Sequence, residues 1–193
     1  LPADVVLLRG LQQPNDRLVQ LLLAARTART LGAQRLTLAA PYLAYMRQDI
    51  AFQPGEAISQ RIVAGFLAGL FERVVTIDPH LHRIASLDEV MPGAQGVALT
   101  AAPLLGRWIA AQWPAAAPPL LVGPDEEAGQ WVRSAGTATG LRGIVCRKTR
   151  HGDRDVSIEL PGEAVEGRAV VLLDDMASTG HTLVQAAEAL RAR

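Results

Sequence analysis

The residues best suited to chemistry lie between Val170 and Thr182. Four apolar residues, Val170 to Leu173, indicate a buried strand, and two adjacent carboxylates, Asp174 and Asp175, follow at its C-terminal end. Small and hydroxyl residues then lead into a predicted helix. Backbone N–H groups at a helix N-terminus bind anions, and paired carboxylates bind sugar hydroxyls or a divalent cation. The segment therefore predicts a site for a phosphorylated sugar.

An ordinary turn is the competing interpretation of this segment, because Asp is common where strands end. The hydroxyl and small residues that follow the two acids, Ser178, Thr179, Gly180 and Thr182, favour the phosphate site instead. A nucleotide-binding P-loop is excluded, since the chain has no Gly-Lys-Ser/Thr sequence.

Two histidines form a second candidate group. The apolar run Val74–Ile77 predicts a strand that ends at Asp78-Pro79, and His80 and His82 come next. Imidazole, carboxylate and phosphate oxygen can together complete the shell of Mg²⁺ or a similar ion, although Mg²⁺ prefers oxygen. A hydrogen-bonded structural histidine explains the pattern equally well, so both interpretations stay open.

Cationic residues form two further groups. Lys148 is the only lysine of the chain, and with Arg150 and Arg154 it lies in a glycine-containing segment between two predicted strands. Cations on a mobile loop can close over a polyphosphate and neutralise charge that develops during transfer; a solvated hairpin is the alternative. The triplet Arg47-Gln48-Asp49, within the long polar loop 41–57, could hold a base or a phosphate.

Strand and helix patterns alternate along the chain, which indicates a parallel α/β fold. The predicted strands are 5–8, 35–40, 74–77, 120–122, 143–146, 156–160 and 170–173. Their repeated order predicts two α/β halves with a boundary near Gly96–Ala102. Ligands of open parallel sheets bind beyond the carboxyl ends of the strands. That rule selects four polar segments: Pro41–Asp49, Asp78–His82, Pro124–Glu127 and Asp174–Thr182.

Composition narrows the classes of protein. The 193 residues carry a formal net charge of zero, which gives no support for binding nucleic acid or an anionic membrane. No apolar run reaches the ~20 residues that a membrane span needs. The single cysteine, Cys146, excludes an intrachain disulfide framework and fits a cytosolic location. The chain starts at Leu1 and stops at Arg193 in a predicted helix, so we expect part of the native protein to be absent.

Together these segments resemble ribose-phosphate diphosphokinase, the phosphoribosyl pyrophosphate synthase family. Val170–Thr182 is similar to its ribose-phosphate signature, and Pro41–Asp49 to its ATP-side loop. Val74–His80 resembles the strand that ends in a metal-binding histidine, and Lys148–Arg150 lies where the family has its catalytic loop. The signature alone is shared with phosphoribosyltransferases; the other three segments separate the two families.

The resemblance implies an α/β fold of two phosphoribosyltransferase-like domains, with mainly parallel sheets flanked by helices. Residues 1–100 would form the ATP side, and residues 101–193 an incomplete ribose 5-phosphate side. The implied reaction transfers diphosphate from ATP to the 1-hydroxyl of ribose 5-phosphate, with Mg²⁺ as cofactor. The implied assembly is a homo-oligomer, a dimer or a hexamer, in the cytoplasm. A phosphoribosyltransferase and a non-catalytic regulatory subunit remain the alternatives.

Site residues follow from the same resemblance. Lys148 and Arg150 would be catalytic, and His80 and Asp125 would hold the metal. ATP would be bound by Arg47, Gln48, Asp49 and His80. Ribose 5-phosphate would be bound by Asp174, Asp175, Ala177, Ser178, Thr179, Gly180, His181 and Thr182. The chain departs from the family pattern at Ser178, where relatives usually have an acid, and at His181, where they have glycine.

Overall fold

The computed structural model describes residues 1–150, 156–159, 165–177 and 179–192, with the backbone only at 148–150 and 156–159. The chain separates into two compact units, Leu1–Leu99 and Thr100–Arg193. Each unit contains a parallel sheet flanked by helices, so the predicted α/β class is confirmed. Within the described residues, no helix is both long and apolar enough to cross a bilayer.

The first unit has a four-stranded sheet in the order β1-β2-β3-β4, with every neighbouring pair parallel. The strands are β1 Asp4–Leu8, β2 Arg35–Ala40, β3 Arg73–Ile77 and β4 Gln95–Leu99. Helix α1 (Pro14–Thr30) joins β1 to β2, and helix α2 (Ser59–Ala68) joins β2 to β3. Because parallel strands end at the same edge of a sheet, the loops that follow β2 and β3 lie at one edge.

The predicted strands did not include β4, whose residues 95–99 belong to the first sheet, and the two units divide directly after it, between Leu99 and Thr100. A glycine inside so short a segment weakens the strand pattern. Pairing with β3 decides the structure instead, and the N–H of Gly96 also donates to Asp88 Oδ1 at 2.7 Å. A Cβ on Gly96 would lie 2.4 Å from the Cβ of Leu87, so this close approach requires glycine.

The second unit has a three-stranded parallel sheet in the order β6-β5-β9. Its strands are β5 Leu120–Gly123, β6 Gly143–Val145 and β9 Val170–Leu172, and β5 is buried along its whole length. The helices are α3 Ala102–Gln112, α4 Gly129–Thr139 and α5 His181–Arg191. Helices α3 and α4 pack so closely that a Cβ on Gly106 would lie only 2.8 Å from the carbonyl oxygen of Ala135.

An antiparallel pair interrupts the parallel pattern of the second unit. Strand β7 (Arg147–Arg150) pairs with β8 (Val156–Glu159), and Lys148 lies opposite Ile158. The sequence predicted Lys148 and Arg150 in a loop, but their backbone is in β7, so that prediction was wrong in its local structure. Arg154 and the residues around it lie outside the described part of the chain.

Candidate active site

Three strand ends of the second unit bring together two acids and the cysteine. The N–H of Cys146 donates to the carbonyl of Gly123 at 2.9 Å, and the N–H of Leu173 donates to that of Val122 at 2.9 Å. These bonds extend the parallel pairing by one residue beyond β6 and β9. Asp125 follows β5 after Pro124, and its charge acts on Asp174 and on Cys146.

Asp174 is half-buried beside two other acids. Its pKa is raised to about 6, chiefly by burial and also by the negative charges of Asp175 and Asp125. The backbone N–H of Asp175 opposes this shift, because it donates to Asp174 Oδ1 at 2.9 Å. A carboxyl in this position is stabilised in its charged form by a ligand hydroxyl or a cation. The geometry therefore suits the predicted sugar-hydroxyl contact.

Asp125 is held in place by its own backbone. Its Oδ1 accepts hydrogen bonds from the N–H groups of Glu127 at 3.2 Å and Ala128 at 3.4 Å. These bonds cap a short 3-10 turn, Glu126–Ala128, and α4 begins after it at Gly129. The capping bonds fix the carboxylate at the end of β5.

Cys146 is buried beside Asp125. The pKa of its thiol is raised to about 11, first by burial and then by the charge of Asp125. The thiol therefore stays protonated at neutral pH and packs as a small apolar side chain.

The segment between β9 and α5 has the predicted strand–loop–helix order. Gly180 has φ +74°, a left-handed conformation that glycine adopts without strain, and α5 begins at His181. The hydroxyl of Thr179 accepts from the N–H of His181 at 3.4 Å. Ala177, Thr179 and His181 are exposed, Thr182 is half-buried, and Ser178 lies outside the described residues. Backbone N–H groups at the start of this helix are suited to binding an anion.

In the first unit, the start of α2 holds the loop after β2. The side-chain amide of Gln60 donates to the carbonyl of Met46 at 3.1 Å, and its backbone N–H donates to that of Gln48 at 3.2 Å. The hydroxyl of Ser59 donates to the carbonyl of Tyr45 at 3.2 Å. Tyr45 has φ +65°, which is uncommon for a residue with a side chain. Helix α2 therefore shapes the backbone that carries Arg47.

The three predicted ATP-side residues of this loop differ in exposure. Arg47 is exposed and Gln48 is half-buried, whereas the side chain of Asp49 is only 2% exposed. The Oδ1 atom of Asp49 accepts from Arg83 at 2.6 Å. Asp49 therefore faces the protein interior, unlike the two residues before it.

The two histidines follow β3 at the same edge of the sheet. Asp78 has φ +41°, and its N–H donates to the carbonyl of Leu99 at 2.8 Å, which turns the chain after the strand. His80 is half-buried, His82 is exposed, and their ring centroids are 6.2 Å apart. No group of three His, Cys, Asp or Glu side chains that could hold a metal occurs among the described residues.

Sequence reasoning missed three residues of these edges. Arg83 gave no signal, because 34 positions separate it from Asp49. Gln60 is a polar residue on a buried helix face, which could have indicated a structural hydrogen bond. Cys146 was noted only as the single cysteine, since nothing in the sequence places it beside Asp125.

Comparison with known proteins agrees with the resemblance. Residues 2–70 match the family described as the N-terminal domain of ribose phosphate pyrophosphokinase. A ribose-phosphate pyrophosphokinase of Methanopyrus kandleri is 35% identical over 192 residues, covering 99% of this chain and 64% of the relative. One from Methanosarcina acetivorans is 36% identical over 162 residues, covering 84% of this chain and 54% of the relative.

A solved structure is similar across both units. Phosphoribosylpyrophosphate synthetase from Mycobacterium smegmatis has a TM-score of 0.78 at 25% sequence identity, covering 98% of this chain and 60% of that one. The chain thus spans less than two thirds of the length of these relatives. The sequence matches extend through both units, beyond the 69 residues of the N-terminal family match. The chain is therefore similar, across both units, to ribose-phosphate pyrophosphokinases.

Proposed function

We propose that the protein transfers diphosphate from ATP to the 1-hydroxyl of ribose 5-phosphate, giving 5-phospho-α-D-ribose 1-diphosphate and AMP. The observation that carries this proposal is the group of three acids, Asp125, Asp174 and Asp175, at the strand ends of the second unit, with the loop to α5 following Asp175. It occurs in a chain that is similar over 99% of its length to a ribose-phosphate pyrophosphokinase. Acids and a helix start side by side suit a sugar that carries both hydroxyls and a phosphate.

Ribose 5-phosphate would bind along the segment after β9. Asp174 and Asp175 accept hydrogen bonds from the ribose hydroxyls, and the backbone from Ala177 to Thr182 holds the 5-phosphate. The raised pKa of Asp174 supports this role, because hydrogen bonds from the sugar compensate for its burial beside like charges. Binding in this way leaves the 1-hydroxyl to react.

The reaction would be an in-line displacement. The 1-hydroxyl oxygen forms a bond to the β-phosphorus of ATP, the bond from that phosphorus to the oxygen bridging to the α-phosphate breaks, and the hydroxyl proton is lost. Lys148 and Arg150 stabilise charge on the transferring phosphates, while Arg47, Gln48 and His80 hold ATP. Positioning and charge neutralisation supply most of the catalysis in such reactions.

Magnesium fits the donors at the proposed site. Mg²⁺ is usually held by one or two carboxylates together with substrate phosphates and water, and Asp125 has a carboxylate fixed by capping bonds beside Asp174. Asp125 is the proposed metal-side residue of the second unit, and the resemblance also implies His80 as a metal ligand. When bound, the ion would neutralise negative charge on the phosphates of ATP. We further propose that the protein is cytosolic and forms a homo-oligomer. Exposed apolar side chains such as Leu8 and Trp108 support the homo-oligomer.

Isotope transfer tests the function. With ATP labelled at the β-phosphorus and ribose 5-phosphate, we expect label in the sugar diphosphate and one AMP formed for each molecule of product. Hydrolysis would release labelled phosphate or diphosphate without the sugar product. If a purine or pyrimidine base is ribosylated and no label is transferred, the protein is a phosphoribosyltransferase. Binding of both substrates without turnover indicates a regulatory subunit.

A further inference from the structure

We propose that Asp49 and Arg83 form a positioning pair that fixes the backbone of Arg47 and Gln48. The pair joins two loops at one edge of the first sheet, the loop after β2 and the loop after β3. Neither residue needs to touch a substrate for this role. Its effect on ATP rests on the proposed function, whereas its effect on the loop does not.

Burial distinguishes this ion pair from a surface contact. The side chain of Asp49 is 2% exposed and that of Arg83 is 42% exposed. The Oδ2 atom of Asp49 is also buried and has no hydrogen-bond partner among the described residues. A buried carboxylate is costly unless a cation compensates for it. Arg83 supplies that positive charge. Because Arg83 and Asp49 lie on different loops, their ion pair holds the two loops together.

The loop carries anchors on both sides of the two proposed ATP contacts. Before them, Gln60 Nε2 holds the carbonyl of Met46 at 3.1 Å. After them, Arg83 holds the side chain of Asp49 at 2.6 Å. The backbone of Arg47 and Gln48 therefore lies between two fixed points, which leaves the exposed Arg47 side chain on a defined backbone. Preorganisation of this kind lowers the entropy that binding must otherwise remove.

The same pair also restrains the segment of His80. Arg83 is three residues beyond His80 in the chain, and its guanidinium is tied to the loop after β2. A residue that orients two proposed ATP-side segments acts through them, so Asp49 and Arg83 are positioning residues. Within the triplet, Asp49 therefore has a positioning role, whereas Arg47 and Gln48 are the proposed ATP contacts.

The first unit contains a matched control. Arg35 and Asp4 also form an ion pair, at 2.5 Å, but their side chains are 64% and 63% exposed. Both residues begin their strands, so they lie at the amino ends of β1 and β2, away from the loops after β2 and β3. Asp4→Asn removes the same kind of contact with the same change of charge.

Hydrogen exchange tests the anchoring without any ligand. In Asp49→Asn we expect amides of residues 46–49 to exchange at least ~10-fold faster than in the unchanged protein, because a closing contact is lost. Asp4→Asn should leave the same amides unchanged. Equal protection of these amides in Asp49→Asn and the unchanged protein would overturn the proposal.

Nucleotide binding tests the consequence of anchoring. By calorimetry, we expect Asp49→Asn and Arg83→Gln each to weaken ATP binding about 10-fold while ribose 5-phosphate affinity stays the same. Arg83→Lys should recover part of the loss, and the double variant should lose less than the sum of the two single losses. Equal losses for both ligands, or additive losses, would contradict a specific positioning role.

The two proposals can fail separately. If the unchanged protein binds ATP but transfers no diphosphate, the proposed function fails while the ATP-affinity comparison still decides the pair. If it does not bind ATP, the link from the pair to ATP fails, and hydrogen exchange alone decides whether the pair anchors the loop.

Discussion

The carboxylates buried at the strand ends of the two units have neighbours of opposite charge. In the first unit, Asp49 is almost fully buried and is paired with Arg83. In the second unit, the charges that act on half-buried Asp174 are those of two other acids, Asp175 and Asp125. An acid compensated within the protein stabilises local structure, whereas acids that repel one another favour a ligand that neutralises them. We therefore expect the ion pair of the first unit to hold loop structure and the acids of the second unit to bind a ligand.

The largest expected effect concerns Lys148, the proposed catalytic cation. Lys148→Ala should lower turnover about 10²–10³-fold, because it removes charge stabilisation from the transferring phosphates. Ribose 5-phosphate affinity should persist, measured by calorimetry. Lys148→Arg, which keeps the charge, serves as the control. Unchanged turnover, or a parallel loss of sugar binding, would remove Lys148 from the proposed mechanism.

A large effect on stability is expected at the compensated edge. Arg83→Gln should lower the free energy of unfolding by about 2 kcal/mol, because it leaves Asp49 buried without its cation; the partial exposure of Arg83 limits the loss. Urea unfolding at pH 7 measures this. The double variant with Asp49→Asn should be more stable than Arg83→Gln alone. A double variant less stable than either single one would contradict the pairing argument.

The opposite sign is expected at the acidic edge. The folded-state pKa of Asp174 is about 6, above the ordinary 3.8. Such a shift contributes stability below about pH 4 that is lost as pH rises through about 6. Asp174→Asn should therefore raise the free energy of unfolding at pH 8 by on the order of 1 kcal/mol, after allowance for solvent screening. Unfolding curves at pH 5 and pH 8 test the sign.

Ligand affinity completes the test of Asp174. The same variant should weaken ribose 5-phosphate binding at least ~10-fold, because Asn replaces a charged acceptor of sugar hydroxyls. If Asp174→Asn is more stable but binds ribose 5-phosphate more weakly, then Asp174 contributes to binding at a cost in stability. Full affinity in Asp174→Asn would break the comparison between the two edges.

The smallest effect is expected at the exposed pair. Asp4→Asn should leave the urea midpoint unchanged within measurement error, because solvent screens both side chains. A shift as large as that of Arg83→Gln would show that burial is not what separates the two pairs.

Sequence patterns predicted the elements that have strong local signals. Apolar runs located β2, β3 and β5, and the run before Asp174 located β9. They failed at Gln95–Leu99, where a glycine weakens the pattern and pairing with β3 decides, and at Lys148–Arg150, where polar residues form a strand of a hairpin. Motif reasoning placed Asp49 with Arg47 and Gln48, but it could not detect that only Asp49 is buried.

Local chemistry, then, was readable from the chain: two acids before a helix start, a lone lysine and histidines after a strand. These depend on residue types within a few positions, so sequence alone determines them. Tertiary structure decided which charges meet. Asp125, Cys146 and Asp174 come together because three parallel strands end at one edge, and Arg83 reaches Asp49 because two loops leave one sheet side by side. Contacts between distant positions depend on strand order and register, which local patterns do not encode.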